Sequence, residues 1–388
     1  MVDSTTFVNP QPGLPPNRTS VLGKALAQRA VVTAEERDQR QVSSANLLDL
    51  TRSDVTLAPA HVRQAARDAL ARGETHYTVR PGVTELRAAI GVRSTADGFP
   101  ADADTIVITN GGSEALYILF QGTVKAGDRI AIAGPVAPNI QTMLQFIGAS
   151  VVRLDSSPTD VPDDVAILLL TDPSPISGIA AERGDFQQLV SAAIERRVTV
   201  ILDRSAANCR YDGQSTTFAN AELGARVLTI GSFSAGYGLG GWRVGWFSAP
   251  PSQMGVLREL KQAMSICTTA VSQFAALAAL EGPSDWLEER RNQYCRRRDL
   301  AVELLNGVGL QVVQPDAWPG LLIASSAIAA DDVEAQRLLA EEHGVLVDAG
   351  SQFGPGTAGF IRIDLGAPGP TLREALDRIA DIGKRGRA

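Results

Sequence analysis

The sequence predicts an α/β protein of two domains, the larger built on a mostly parallel sheet and the smaller of α+β type. Three observations predict it. At 388 residues the chain exceeds the roughly 100–200 residues of one ordinary domain. From 105 to 249, short β-rich runs alternate with helix-length stretches, the order that lays helices over a parallel sheet. Beyond 307 the order changes to short strands with two amphipathic helices.

Taken in order, helical periodicity covers 59–72 and 84–94. The apolar run Thr105–Thr109 ends in Asn110-Gly111-Gly112-Ser113 and opens a helix over 114–122, so strand, glycine turn and helix follow one another. Strand-like runs recur at 129–133, 150–154, 165–170, 198–202, 227–232 and 242–249, with helices predicted at 138–148 and 183–196. A long helical stretch over 252–307 precedes runs at 310–314, 320–325, 345–348 and 359–364, a helix at 331–343 and a closing helix at 370–385. The predicted division is an N-terminal arm and start of the small domain at 1–49, a large domain at 50–285 and a small C-terminal domain at 286–388. The first twenty residues are polar and proline-rich and read as a mobile arm, without the charged and apolar regions of a signal peptide.

Composition narrows the function. Hydrophobic residues make up 44% and charged residues 20%, and no apolar run approaches the ~20 residues that span a bilayer, so a soluble protein is expected. A net charge of −7 with scattered arginine argues against nucleic acid as a partner. Cys209, Cys267 and Cys295 are odd in number and lack a C-x-x-C spacing, which suggests neither a disulfide framework nor a zinc site and fits a reducing, cytoplasmic setting. Lysine occurs only at 24, 125, 261 and 384.

Four places carry chemistry. The Gly111-Gly112-Ser113 turn meets a helix N-terminus, where free N–H groups and the helix dipole favour an anion; an ordinary strand-to-helix turn fits equally. Asp203 ends the run Val198–Leu202 and so sits at the edge where ligands of open α/β sheets gather, the alternative being a loop carboxylate paired to Arg204 or Arg210. Ser232, Ser234 and Arg243 flank the glycine-rich stretch before Val244, a set of hydroxyls and a planar fork suited to phosphate. Arg362, within Phe360–Asp364, is placed either to clamp a carboxylate or to pair with Asp364 or a nearby acid.

Together and in order, Tyr77-Thr-Val-Arg-Pro-Gly82, Thr109-Asn-Gly-Gly-Ser113, Ile201-Leu-Asp203 with Tyr211-Asp-Gly213, Ser232-Phe-Ser-Ala-Gly236 leading to Trp242-Arg-Val-Gly245, and Gly350-Ser-Gln-Phe-Gly354 before Arg362 resemble the fold-type-I, pyridoxal-phosphate-dependent aminotransferases of class I/II. The resemblance spans about 45–385 and implies a seven-stranded large-domain sheet and a homodimer with a shared active site. It implies that Gly111, Gly112, Ser113, Ser232, Ser234 and Arg243 hold the cofactor phosphate, with Tyr77 reaching it from the partner subunit. Asp203 would pair with the pyridine nitrogen, and Arg362, with Arg243 and Asn139, would bind a substrate carboxylate.

The sequence departs from that family where chemistry is densest. Ala235 stands at the Schiff-base lysine position, and a methyl group neither bonds an aldehyde nor moves a proton. By the same matching, Ala206 replaces a tyrosine and Pro175 an asparagine that bond the cofactor's phenolic oxygen, and Ala137 replaces a stacking aromatic residue. These four changes argue against tight pyridoxal or pyridoxamine phosphate binding in the usual manner, each lost hydrogen bond or stacking contact costing about 1 kcal/mol and the lost covalent aldimine far more. The leading expectation is therefore an enzyme repurposed to cofactor-independent chemistry on a small anionic, carboxylate-bearing substrate in the former cofactor pocket. Two alternatives stand beside it: a cofactor-dependent amino-acid aminotransferase carried as a Lys-to-Ala variant at 235, and a noncatalytic dimeric scaffold. His76 reads either as a general base or as a turn residue.

Overall fold

The computed structural model describes residues 47–53, 57–154, 161–214 and 226–385; the predicted N-terminal arm lies almost wholly outside them. In chain order the elements are β1 (Leu48–Asp49), α1 (Ala60–Ala71), α2 (Thr84–Ala96), β2 (Ile106–Thr109), α3 (Gly112–Thr123), β3 (Arg129–Ala133), α4 (Pro138–Ile147), β4 (Ser150–Leu154), β5 (Ile167–Thr171), α5 (Arg183–Glu195), β6 (Thr199–Asp203), β7 (Val227–Ser232) and β8 (Gly245–Ser248). Then come α6 (Pro251–Ser265), α7 (Ala270–Glu281), α8 (Asp285–Gly307), β9 (Gly320–Ala324), α9 (Asp332–His343), β10 (Val345–Leu346), β11 (Asp348–Ala349), β12 (Phe360–Asp364) and α10 (Gly369–Arg385).

Seven strands form one sheet in the order β2-β8-β7-β6-β5-β3-β4, parallel throughout except for β8, which runs against both its neighbours. β2, β5 and β8 are buried along their whole length or nearly so, which is why they read as unbroken apolar runs rather than alternating ones. Alternate residues serve opposite faces. Ile130, Ile132, Leu169 and Ile201 meet α3 and α6, while Ala131, Leu168, Leu170, Val200 and Leu202 meet α5.

β9, β11 and β12 form a second, antiparallel sheet, and β1 pairs with β10. Their core gathers Leu50 from the start of the described chain with residues 294–380 from its end. Among the described residues no helix is long and apolar enough to cross a membrane.

Three predicted elements differ. The stretch 252–307 is three helices, broken where Ile266 takes a left-handed φ of 58° and again around Gly282. The run 310–314 makes only one isolated bridge, Val312 to Ile323. β8 starts at Gly245 rather than 242, because Gly240–Trp242 coils into a 3-10 turn and Arg243 follows it in the left-handed region.

Candidate active site

Because β8 is the only reversed strand of the large sheet, β2, β7, β6, β5, β3 and β4 all end on one edge. Thr109 and Ser232 both pair with Gly245, so the glycine turn after β2 and the end of β7 flank a single residue of β8. That residue has no room for a side chain: a Cβ on Gly245 would lie 2.5 Å from the Gly111 carbonyl carbon.

The predicted anion site assembles here. Gly111 has φ of 87°, open to glycine at little cost, and caps α3. A Cβ on it would lie 2.3 Å from Arg243 Nη2, so the guanidinium rests against bare backbone. Arg243 donates from Nη1 to the Gly240 carbonyl at 3.0 Å and from Nη2 to the Asn110 carbonyl at 3.1 Å, and remains exposed. Ser232 Oγ donates to Ser234 Oγ at 2.9 Å and accepts from the Ser234 N–H at 3.1 Å. Ser113 is exposed on the first turn of α3. A helix N-terminus, hydroxyls and an accessible guanidinium on one spot form an anion cradle.

Ser205 belongs to it as well, although the sequence reading did not single it out. Its Oγ would be 3.0 Å from a Cβ on Gly112, and its N–H donates to Asp203 Oδ1 at 2.9 Å. Its own neighbours carry no signal for this: Ser205 lies beyond the end of β6, and the approach of the α3 N-terminus is what brings it to the site. Asp203 pairs with neither arginine proposed for it: Arg204 binds Asp97 at 2.8 Å and Arg210 binds Asp212 at 2.7 Å. Loss of water around the Asp203 carboxyl raises its pKa, partly offset by the Ser205 hydroxyl and N–H.

The other predicted residues are placed as follows. Arg362 is 6% exposed and faces Asp348 at 3.2 Å and Asp364 at 3.0 Å, the second of the two arrangements open to it. Tyr77 is 73% exposed, His76 Nδ1 lies 3.2 Å from the Gly73 carbonyl oxygen, and Asn139 is exposed in the first turn of α4. Ala206 is buried in the core shared with Leu50 and Tyr294, and Ala235 packs against that core. The Ala235 carbonyl accepts from Arg290 Nη2 at 3.1 Å, and the Pro175 carbonyl accepts from Arg362 Nη2 at 3.5 Å.

Lys261 is the one lysine that is buried among the described residues, and it is committed elsewhere. Its Nζ lies 3.3 Å from Glu114 Oε2 and donates to Ser265, while Glu114 also accepts from Ser265 Oγ at 2.6 Å and from the Asn110 N–H at 2.6 Å. Burial lowers the Lys261 pKa against the pull of Glu114.

These groups fit part of a pyridoxal phosphate. The cradle suits its phosphate and Asp203 its ring nitrogen, but Ala137, Ala206, Ala235 and Pro175 carry no amine, ring or hydroxyl for the rest. A separate cavity of about 760 Å³ opens between the ends of β3 and β5 and the strands β9 and β12, with Arg153, Asp172, Phe186 and Phe360 in its wall; no predicted site residue lines it.

The family description "Aminotransferase class I and II" matches residues 43–379. The aspartate/prephenate aminotransferase of Thermus thermophilus is 29% identical over 342 residues, 84% of this chain and 87% of that protein. The arginine–pyruvate transaminase of Pseudomonas aeruginosa is 33% identical over 339 residues, 83% of this chain and 86% of that one. Among solved structures, Thermus thermophilus aspartate aminotransferase with maleate superposes with a TM-score of 0.85 at 25% identity, covering 96% of this chain and all of that one.

Proposed function

This chain belongs to the class I and II aminotransferase family, and from that premise we propose that it is a repurposed member whose chemistry on a small anionic, carboxylate-bearing substrate runs without a pyridoxal cofactor. In this reading Ala235 stands where relatives carry the lysine, and the protein acts in the cytoplasm as a homodimer whose subunits share the site through Tyr77. One observation carries the reading: no described lysine is available at the sheet edge. Ala235 ends the Ser232–Ala235 segment with its carbonyl tied to Arg290, and Lys261 is held by Glu114.

In the proposed mechanism the cradle of Ser232, Ser234 and Arg243 binds and orients the anionic end of the substrate, with the α3 N-terminus adding partial positive charge. Asp203 lies beside it through Ser205. Its raised pKa lets the carboxyl hold a proton at pH values where an exposed aspartate has lost it, which suits it to donate a proton to the bound ligand.

A second reading is favoured by the relatives, whose names are those of ordinary aminotransferases. In it the chain binds pyridoxal or pyridoxamine phosphate noncovalently, or is a Lys-to-Ala variant at 235 of a cofactor-dependent aminotransferase. Titration with pyridoxal phosphate, followed by visible absorbance, separates the two. The first reading expects weak binding and no absorbance change on adding amino acids, with Ala235→Lys binding more tightly and gaining an amino-acid-dependent band. Tight binding by the unaltered chain, with an amino-acid-dependent band, overturns it.

A further inference from the structure

We propose that the cavity of about 760 Å³ between the two sheets is a second ligand site, distinct from the Arg243 cradle, and that it takes an amino acid with an apolar side chain, its ammonium on Asp172 and its carboxylate on Arg153. The proposal stands independently of what the cradle binds. The volume falls within the roughly 300–1,000 Å³ of small-molecule sites.

The strand order puts both charges there. Ile132 on β3 pairs with Arg153 on β4 and with Leu169 on β5, so the two strands flank β3. Asp172 follows Thr171, the last residue of β5. Arg153 and Asp172 therefore enter the cavity wall from opposite sides of β3, whose own end supplies Ala133 and Gly134 to the same wall.

Asp172 lacks a donor. It is 4% exposed, and Oδ1 accepts the Ala181 N–H at 2.7 Å, but Oδ2 has no partner. Arg204 and Arg210 feel its charge, yet they bind Asp97 at 2.8 Å and Asp212 at 2.7 Å instead. A buried carboxylate oxygen calls for a hydrogen-bond partner, and a ligand ammonium supplies both hydrogen and charge.

Arg153 lacks an anion. Its Nη1 donates to the Gly134 carbonyl at 3.3 Å, and it makes no ion pair among the described residues. Burial draws its pKa down, and no acid offsets the effect. A Cβ on Gly354 would lie 3.3 Å from the guanidinium carbon, so the fork rests against bare backbone and is open to a carboxylate. Ser174 and Ser177 accept backbone N–H groups through Oγ and keep their hydroxyl hydrogens for a ligand. Leu170, Phe186, Leu322 and Phe360 supply an apolar surface for a hydrocarbon side chain. Glu182 and Asp185, exposed at the start of α5, add negative charge to the wall, which disfavours a ligand with two anionic ends.

Calorimetric titration of the full chain with leucine, leucinamide and isocaproate tests this, the last two lacking the carboxylate and the ammonium respectively. Leucine is expected to bind about tenfold or more tightly than either. Arg153→Gln should remove its advantage over leucinamide, and Asp172→Asn its advantage over isocaproate, while Arg243→Ala leaves leucine affinity unchanged. Absence of leucine binding to the unaltered chain overturns the site. So does its loss in Arg243→Ala but not in Arg153→Gln, which would seat leucine in the cradle. If Asp172→Asn fails to fold, Arg153→Gln and crystals of the unaltered chain soaked with leucine decide. Leucine between Arg153 and Asp172 supports the site, and a cavity without it refutes it. Inorganic phosphate, titrated separately, reads the cradle: its failure to bind defeats that reading and leaves the leucine comparison intact.

Discussion

Arg243 and Arg362 are the two arginines that the sequence marks as anion binders, and the fold treats them in opposite ways. Arg243 sits in a left-handed turn before β8, exposed, with its fork against the bare backbone of Gly111. Arg362 sits inside a strand, buried, between two aspartates supplied by the same small sheet. A turn at a sheet edge leaves donors pointing outward, whereas a strand interior forces a charge to find partners within the protein. Residue type alone did not separate these outcomes; the placement of acids across a register did.

The largest expected effect breaks the buried side of this contrast. Arg362→Met leaves Asp348 and Asp364 buried without their shared cation, and removing one partner of such a cluster costs about 3–5 kcal/mol. Urea unfolding at neutral pH should show a loss in that range. A loss below about 1 kcal/mol would mean that water or another group already satisfies the aspartates, and the contrast with Arg243 would collapse.

A pH-dependent effect comes next, at the Asp203 carboxyl on the end of β6. Desolvation raises the Asp203 pKa in the folded protein above its unfolded value. The folded state then binds the proton more tightly, so the contribution is favourable below the unfolded pKa and is lost as pH rises through the folded one. Asp203→Asn cannot ionise. Its stability relative to the unaltered chain is therefore expected to improve as pH rises from the acid range through the raised pKa, and then to level off. A flat difference across pH would show that Asp203 titrates normally, and would remove it as a proton donor.

Much of the fold was legible in advance because burial writes itself into strand composition. The runs 129–133 and 227–232 coincide with β3 and β7, and the glycine turn opens α3 as its order suggested. What could not be read depended on partners far away in sequence. Nothing near Arg362 announces Asp348, fourteen residues earlier, as its cross-strand neighbour. Proximity offers Arg204 and Arg210 as alternative partners for Asp203, yet each arginine meets a better-placed acid, Asp97 across the fold and Asp212 in the next turn. The site was legible as a set of residue types and only partly as a set of pairings. Ser205 shows the same gap, because its role follows from the approach of α3 and not from its own neighbours.

The smallest expected change in stability sharpens the exposed side. Arg243→Ala gives up two bonds to backbone carbonyls that water can replace, so unfolding free energy should move by less than about 1 kcal/mol. Binding should respond far more. With the guanidinium gone, the cradle keeps only hydroxyls and the α3 N-terminus, and phosphate affinity measured by calorimetry should fall about tenfold or more, a charge-assisted fork being worth roughly twice a neutral bond. Because the two readouts are expected to part company at Arg243, Arg362→Met makes the matching control: there stability should change sharply. If Arg243→Ala instead unfolded the protein while sparing phosphate binding, the open arginine would be the structural one and the assignment of the two would have to be exchanged.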